Sequence, residues 1–200
     1  ALEAPEQLSE QQIDKLDDSS MKSAQGCRDS VQLLSSIPTN LLPTFRTVLK
    51  AVKLWSDGSY ELFPPPPNPF LKLDANFMNK ARGLASNSRG FLGGFSWSVM
   101  VAWIFKQSSL RDKQFSETED AASSPAFLFL KEFFHTFANW QWATAVVSVG
   151  KDAEKKYQIA KTDKMVILTP THPYRNSARN VSDSTLKYVN CSLFRQTQNG

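Results

Sequence analysis

The chain has 200 residues, of which 41% are hydrophobic and 12% aromatic, and its formal net charge is +4. A chain of this length with so many apolar side chains can bury a substantial core, which excludes a disordered polypeptide. The positive charge is compatible with a nucleotide or nucleic-acid partner but is too small to establish one.

The first element in chain order is a polar, acidic stretch of 20 residues, for which we expect a short helix or a mobile leader. A helix is predicted over residues 29–36, because Asp29 or Ser30 can serve as its N-cap and Pro38 ends it. The amino-terminal part of the chain is therefore expected to contribute one helix to the fold.

A second helix is predicted after residue 39, where Thr39 or Asn40 can act as the N-cap. Its basic side chains, Arg46, Lys50 and Lys53, lie three and four positions apart and therefore form one basic stripe along the helix. The apolar side chains beside this stripe repeat at helical spacing: Phe45, Val48, Leu49, Val52 and Trp55.

Residues 56–89 break the helical pattern. Asp57-Gly58 is typical of a turn, and the four consecutive prolines from Pro64 to Pro67 favour a stiff polyproline stretch. We interpret this segment as a surface insertion, and a proline-rich ligand for an SH3 or WW domain is the alternative.

The segment from Gly90 to Trp97, GFLGGFSW, opens an apolar run that ends at Lys106. Its glycines allow close approach of another group, and a helix that begins there would point free N–H groups at an anion such as a triphosphate. Close helix packing alone is the alternative, since no Gly-Lys-Ser/Thr follows as in a P-loop. The run is shorter than the roughly 20 residues that span a bilayer. We therefore predict a buried central helix that ends near Gln107.

The remaining elements are a polar loop over residues 108–124, a helix that begins at Pro125, a short strand or extended arm over residues 145–149, a second candidate strand over 165–168, and a last helix that ends near Arg195. Asn180 or Ser182 can cap the last helix. The predicted fold class is mainly α, a bundle-like helical domain with a few short strands and long loops. The helix at Pro125 has a broad aromatic face: Phe127, Leu128, Leu130, Phe133, Phe134, Phe137 and Trp140.

Residue types that carry catalytic or metal chemistry are sparse. Cys27 and Cys191 are the only cysteines and form no CxxC pair, which argues against a structural zinc site and a disulfide framework. The two histidines, His135 and His172, have no second ligand at metal spacing, and the paired acids fall in polar segments. We therefore predict no catalytic residue and no metal site in this chain, and we expect an intracellular compartment.

Five blocks of the chain resemble, in the same order, the motifs of eukaryotic poly(A) polymerases. The blocks are FRTVLKAVKLW at 45–55, GFLGGFSW at 90–97, KEFFHTFANWQW at 131–142, LTPTHP at 168–173 and NVSDST at 180–185. The resemblance as a whole extends over roughly residues 17–190. Because ordered blocks are more specific than any single motif, the chain is identified as a member of this family, with the fold of its central helical domain.

The resemblance implies a polar leader at residues 1–20, a central domain at 21–195 that contains the proline-rich insertion within 56–89, and a tail at 196–200. It also implies a preceding nucleotidyltransferase domain, whose three acidic residues bind Mg²⁺ or Mn²⁺, and a following RRM-like domain that binds RNA. Neither is expected in this chain, which would then be an inactive fragment of a longer enzyme.

The reaction that the resemblance implies is template-independent transfer of AMP from ATP to an RNA 3′-hydroxyl, driven by two metal ions on the preceding domain. The implied partners are ATP as substrate, the RNA 3′ end, the two flanking domains and proteins of the polyadenylation complex, with no membrane partner. The implied location is the nucleus, and the cytoplasm is the alternative.

The family motifs assign roles to five residues. By resemblance, Lys53 reaches the ATP phosphates, while Gly94 and Phe95 lay their backbone against the nucleotide. Asn87 is expected near the adenine and Asn180 at the RNA end, although capping of the last helix would also explain Asn180.

Two positions depart from the family pattern. The base-stacking tyrosine is replaced by Ala85 and a motif asparagine by Gln25, while Tyr60 and Phe77 are candidates to supply an aromatic surface. Loss of the stack costs on the order of 1–3 kcal/mol of base binding. Two alternatives stay open: a non-catalytic paralogue that binds RNA or the polyadenylation machinery as a scaffold, and a terminal transferase with another nucleotide preference.

Overall fold

The computed structural model describes residues 8–57, 84–112 and 124–198 of the chain. Over these ranges the fold is mainly helical and has no sheet, which confirms the predicted class. Single 3-10 turns occupy Thr39–Leu41, Asn87–Arg89 and Ser109–Asp112. The α-helices are α1 (Glu10–Ile13), α2 (Asp18–Ser35), α3 (Leu42–Asp57), α4 (Gly94–Gln107), α5 (Pro125–Ala138), α6 (Ala153–Lys156) and α7 (Asp183–Thr197).

Helix α4 lies at the centre of the fold, with nine of its 14 residues buried. Helices α3 and α5 pack against it and against each other, and α7 packs on α5. A helix that is apolar on every side has no face that is stable in water, so its neighbours must cover it. The prediction of a buried central helix is therefore confirmed, although the helix begins at Gly94 rather than Gly90, because Gly90 forms a turn with a positive φ of 79°.

Aromatic rings make many of the contacts around α4. Phe105 stacks on Phe129 with 3.9 Å between the ring centroids and meets the edge of Phe45 at 5.5 Å. Such pairs contribute about 0.5–1.5 kcal/mol each beyond the area that they bury. Phe133 and Phe137 connect all five tryptophans of the chain into one network, the tryptophan cluster: Trp55, Trp97, Trp103, Trp140 and Trp142.

Helix α2 is longer than predicted, because it begins at Asp18 and not at residue 29. The Asp17 carboxylate caps it by accepting hydrogen bonds from the backbone N–H groups two and three residues further on. The pattern of apolar residues did not predict the first half of α2, because two of the four buried side chains of this helix, Gln25 and Asp29, are polar. Asp29, predicted as a cap, is instead a buried residue inside the helix.

Polar contacts tie α2 to the loop of residues 169–175, which we call the proline loop. Oδ1 of Asp29 accepts hydrogen bonds from the backbone N–H of Thr171 at 3.0 Å and from its hydroxyl at 2.6 Å. The side-chain amide of Gln25 donates to the carbonyl oxygen of Pro173 at 2.6 Å. Buried polar groups are costly without partners, so α2 and the proline loop stabilise each other.

The two predicted strands are reduced to isolated bridges. Val147 pairs with Ile167 in parallel, and Leu168 pairs with Asn176 in antiparallel orientation. The side chain of Asn176 accepts a hydrogen bond from the N–H of Ile167 at 3.2 Å and donates to the carbonyl of Met165 at 2.9 Å. These backbone groups would otherwise extend a strand ladder, so the asparagine side chain ends the pairing.

Some predicted features fall outside the described residues. They include the proline run within 56–89, the aromatic candidates Tyr60 and Phe77, and most of the predicted loop over 108–124. The division of the chain at residues 20 and 195 stays a prediction. None of the helices described above combines the length and the apolar character that a bilayer crossing requires.

Replacing Phe133 by alanine should lower the free energy of unfolding by about 3–5 kcal/mol, because its ring is fully buried and the substitution leaves a cavity. Phe194→Ala is the matched control, since Phe194 is 51% exposed. For this control we expect a change within about 0.5 kcal/mol. Urea unfolding followed by circular dichroism measures both variants, and equal losses would contradict the burial described here.

Burial raises the pKa of Asp29 to about 6, although the hydrogen bonds from Thr171 and the charges of Arg28 and Arg175 act in the opposite direction. Between the ordinary value of 3.8 and about 6, the folded chain therefore holds a proton that the unfolded chain has lost. The free energy of unfolding should accordingly fall as the pH rises through this window.

The Asp29→Asn variant should remove this pH dependence, because an amide oxygen can accept both hydrogen bonds from Thr171 without carrying a charge. We expect the variant to be more stable than the wild type at pH 7, with the difference shrinking toward pH 4. Urea unfolding across this range measures the effect. The control is Asp112→Asn, at an exposed aspartate, and a wild-type stability that rises from pH 4 to 6 through Asp29 would contradict the assignment.

Candidate functional site

Lys53 and Gly94 meet at one end of the central helix. Lys53 lies on the exposed side of α3, and Gly94 is the first residue of α4. A Cβ atom at Gly94 would lie 4.0 Å from both Cε and Nζ of Lys53, so the amine stands beside the N-terminus of α4. Because glycine has no side chain, the space between the amine and the helix backbone stays open.

The N-terminus of α4 has no side-chain cap. Gly93 is the N-cap residue and supplies no side-chain oxygen to the first N–H groups of this 14-residue helix. Uncapped N–H groups and aligned peptide dipoles make a helix terminus attractive to an anion. The ammonium group of Lys53 adds a full positive charge, so both features favour the same kind of ligand.

A cavity of about 580 Å³ opens beside this helix terminus. All three members of the basic stripe line it, and Asp57 is the one acidic group among the described residues of the lining. Ala85 and Trp97 add apolar surface to the wall. Within the stripe, motif resemblance assigns a role to Lys53 alone, whereas helical spacing is the signal that Arg46 and Lys50 share its surroundings.

Asn87 and Asn180 also lie together. The side-chain amide of Asn180 donates to Oδ1 of Asn87 at 3.2 Å and to its backbone oxygen at 3.3 Å, and both residues are exposed. Asn180 does not cap α7, because Ser182 occupies the N-cap position and accepts from the N–H of Thr185. Neither asparagine is a lining residue of the cavity.

The glycine segment connects these two pairs of residues. A Cβ at Gly93 would lie 3.7 Å from Cβ of Asn87, while one at Gly94 would meet Lys53. Phe95 follows in the first turn of α4, where its half-buried side chain packs against the core. The structure therefore brings four of the five proposed site residues to one edge of the molecule, with Phe95 fixed behind them.

Gly90 is required where the turn before α4 meets Asn180. Its φ of 79° lies in the left-handed region, which side chains other than glycine rarely adopt. A Cβ there would also lie 3.0 Å from the backbone oxygen of Asn180 and 3.5 Å from Cγ2 of Thr185. This glycine serves the approach of another segment of the same chain rather than the approach of a ligand.

The two departures noted in the sequence occupy different surroundings. Ala85 lines the cavity and offers it a methyl group. Gln25 is 4% exposed, and its amide donates to the hydroxyl of Thr169 at 3.2 Å and to the carbonyl of Pro173. The Gln25 amide is therefore engaged by the proline loop.

The acidic side chains of the described residues do not form a binding site for a divalent cation. Among residues 8–57, 84–112 and 124–198, no three His, Cys, Asp or Glu side chains come together as metal ligands. Of the described residues that line the cavity, Asp57 alone carries a carboxylate, and the other charged ones are the three cations of the basic stripe. Mg²⁺ prefers carboxylate oxygens and avoids such positive surroundings, so the described residues do not fit a resident metal ion.

An uncapped helix terminus and a basic wall that face one cavity are suited to the phosphate chain of a nucleotide. Among known proteins, the family of the poly(A) polymerase central domain matches residues 75–199 of the chain. The chain belongs to this family.

Three full-length relatives are similar along most of the chain. The poly(A) polymerase of Dictyostelium discoideum is 29% identical over 96% of the chain and 20% of its own length. Nuclear poly(A) polymerases 1 and 2 of Arabidopsis thaliana are 27% and 28% identical over 88% and 87% of the chain. The chain spans about a fifth of the length of these relatives.

The Gly90→Ala variant should lose about 1–3 kcal/mol of unfolding free energy, because alanine at this φ is strained and its methyl group would press on Asn180. Gly26→Ala is the control, since Gly26 lies inside α2 and a Cβ there would find nothing within 4 Å. We expect the control to gain about 0.5–1 kcal/mol. Thermal and urea unfolding measure both, and a neutral Gly90→Ala would contradict the contact.

Proposed function

We propose that this chain forms one wall of a cleft that holds ATP and the 3′ end of an RNA, in a poly(A) polymerase that adds AMP to RNA without a template. The observation that carries the proposal is the position of the Lys53 amine beside the uncapped N-terminus of α4. Membership of the central-domain family and the names of the relatives support the same reaction class.

The basic stripe supplies the electrostatic part of the proposed site. From Arg46 to Lys53 the helix rises about 10 Å, which lets the stripe follow an extended phosphate chain. Lysine is a mobile point charge that can track a phosphate oxygen, and arginine can bind phosphate in two-pronged geometry. In this arrangement the stripe binds the triphosphate, and the backbone at Gly94 and Phe95 lies along the nucleotide.

The two exposed asparagines supply the polar part. Asn87 lies beside Gly93, the residue before Gly94 at the phosphate end of the site. In this arrangement Asn87 contacts the base or ribose of the nucleotide. Asn180 lies beside it and contacts the terminal ribose of the RNA. Their direct contact supports a common site for the two substrates.

The chemical step belongs to residues outside this chain. The described residues do not fit a metal site, so we propose that a preceding nucleotidyltransferase domain binds Mg²⁺ or Mn²⁺ and that an RRM-like domain follows. The chain alone is then inactive and contributes substrate binding. Its proposed setting is the nucleus, in keeping with the names of the Arabidopsis relatives, with proteins of the polyadenylation complex as further partners.

A second candidate function is a non-catalytic scaffold that binds RNA. It is favoured by Ala85, which offers the cavity no aromatic face, and by Gln25, whose amide is engaged by the proline loop. Incubation of the full-length protein with ATP, Mg²⁺ or Mn²⁺ and an RNA primer separates the two candidates. Extension of the primer by AMP supports the polymerase, whereas RNA binding without extension supports the scaffold.

Lys53→Ala in the full-length protein should weaken ATP binding by about 10- to 100-fold, the loss expected for a charge-assisted contact. Lys53→Arg, which keeps the charge, should lose less. The control is Lys131→Ala, at an exposed lysine of α5 outside the cavity, for which we expect no change. Titration with an ATP analogue measures the affinities, and unchanged binding by Lys53→Ala would remove Lys53 from the site.

A further inference from the structure

The contact between Asn87 and Asn180 has a defined direction. The backbone oxygen of Asn87 can only accept a hydrogen bond, so the group of Asn180 that lies 3.3 Å from it must be the NH₂ group. The same nitrogen lies 3.2 Å from the side chain of Asn87, which must therefore present Oδ1 to it. The NH₂ group of Asn180 therefore faces two acceptor oxygens of one residue.

This direction leaves one outward polar group on each asparagine. The Oδ1 atom of Asn180 accepts no hydrogen bond from the described ranges, and the Nδ2 atom of Asn87 donates none there. Both residues are exposed, so each group can meet a bound molecule. Asn180 thus offers an acceptor, which suits a ribose hydroxyl, while Asn87 offers a donor, which suits a base nitrogen or a ribose oxygen.

Neighbouring contacts hold the segments that carry Asn87 and Asn180 in this relative position. The hydroxyl of Ser96 donates to the hydroxyl oxygen of Ser177 at 2.9 Å, which joins the first turn of α4 to the segment before Asn180. On the other side, Phe91 packs edge-on against Tyr188 of α7 with 5.8 Å between the ring centroids. The pair is therefore held between two further contacts of the same segments.

We propose that Asn180 is a positioning residue for Asn87, and that their hydrogen bonds couple the nucleotide site to the site of the RNA 3′ end. The inference rests on the proposed function, in which Asn87 contacts the nucleotide and Asn180 contacts the RNA.

A ribose hydroxyl that donates to Asn180 Oδ1 polarises the Asn180 amide, whose N–H groups then donate more strongly to Asn87. The Asn87 amide is polarised in turn, and its outward N–H donates more strongly to the nucleotide. The three hydrogen bonds from the ribose through Asn180 and Asn87 to the nucleotide all run from donor to acceptor in the same direction. Hydrogen bonds in such a series strengthen one another. Bound RNA should therefore tighten nucleotide binding, and bound nucleotide should tighten RNA binding by the same factor.

The test is a double-mutant cycle in the full-length protein with four forms: wild type, Asn87→Ala, Asn180→Asp, and the two substitutions combined. Asn180→Asp keeps an outward acceptor for RNA but removes both donors to Asn87. The dissociation constant of a non-hydrolysable ATP analogue is measured with and without a short oligoadenylate. These binding measurements do not depend on catalytic activity.

We expect Asn180→Asp to weaken nucleotide binding by about three- to tenfold, the range for one or two neutral hydrogen bonds, and to abolish the effect of oligoadenylate on it. In the Asn87→Ala background, the same substitution should leave nucleotide binding unchanged. The matched control is Asn139→Asp, because the exposed Asn139 at the end of α5 also donates to a backbone oxygen, that of His135 at 2.8 Å. We expect no change for this control.

Three outcomes would overturn the coupling. An equal loss from Asn180→Asp with and without the Asn87 side chain would assign the effect to the new negative charge or to the lost contact with the backbone oxygen of residue 87, and not to a relay through the Asn87 amide. Loss of RNA binding alone would make Asn180 an RNA contact only. Nucleotide affinity that stays independent of oligoadenylate in the wild type would exclude coupling. In each of these cases the proposed function stands as long as Asn87→Ala weakens nucleotide binding, whereas unchanged binding by Asn87→Ala would overturn the proposed role of Asn87 and the coupling together.

Discussion

The burial of α4 among its neighbours is the constraint on which the rest of the structure depends. Because this helix has no face that is stable in water, α3 and α5 must cover it, and α7 completes the packing on α5. An enclosed helix meets solvent mainly at its ends. Near the C-terminal end, Lys106 donates to the backbone oxygen of Val149 at 3.1 Å, whereas the N-terminal end begins with an exposed glycine. The core thereby determines where a ligand can meet the backbone of α4.

Polar side chains then fix the irregular segments around this core. The proline loop is held by Asp29 and Gln25 of α2, and the turn before α4 is held by Asn180. Each of these contacts joins segments that are distant along the chain. Loops that lack regular hydrogen bonding are usually mobile, and such contacts convert them into well-positioned surfaces. The candidate site depends on this second layer as much as on the apolar core.

The sequence predicted those elements whose buried faces are apolar. Helices α3, α4 and α5 follow from helical spacing or an unbroken apolar run, whereas the first half of α2 was missed because Gln25 and Asp29 are buried but polar. The candidate strands form only isolated bridges, because the side chain of Asn176 occupies backbone groups that a ladder needs. At the site, helical spacing placed Lys53 on the basic stripe and motif resemblance suggested the role of Asn87. The pairing of Asn87 with Asn180 could not be predicted, because it depends on how segments 93 residues apart pack together.

The tryptophan cluster gives the chain an intrinsic fluorescence that depends on its core. Four of its indole N–H groups, those of Trp55, Trp97, Trp140 and Trp142, are buried without a hydrogen-bond acceptor in the ranges that the structure describes. Indoles that are kept from water emit fluorescence at short wavelength, and close neighbours share the excitation. The emission therefore reports the state of the whole core. Because Trp97 also lines the cavity beside α4, a molecule bound in this cavity would lie near one of these indoles, and the same emission could be followed for binding without any added label.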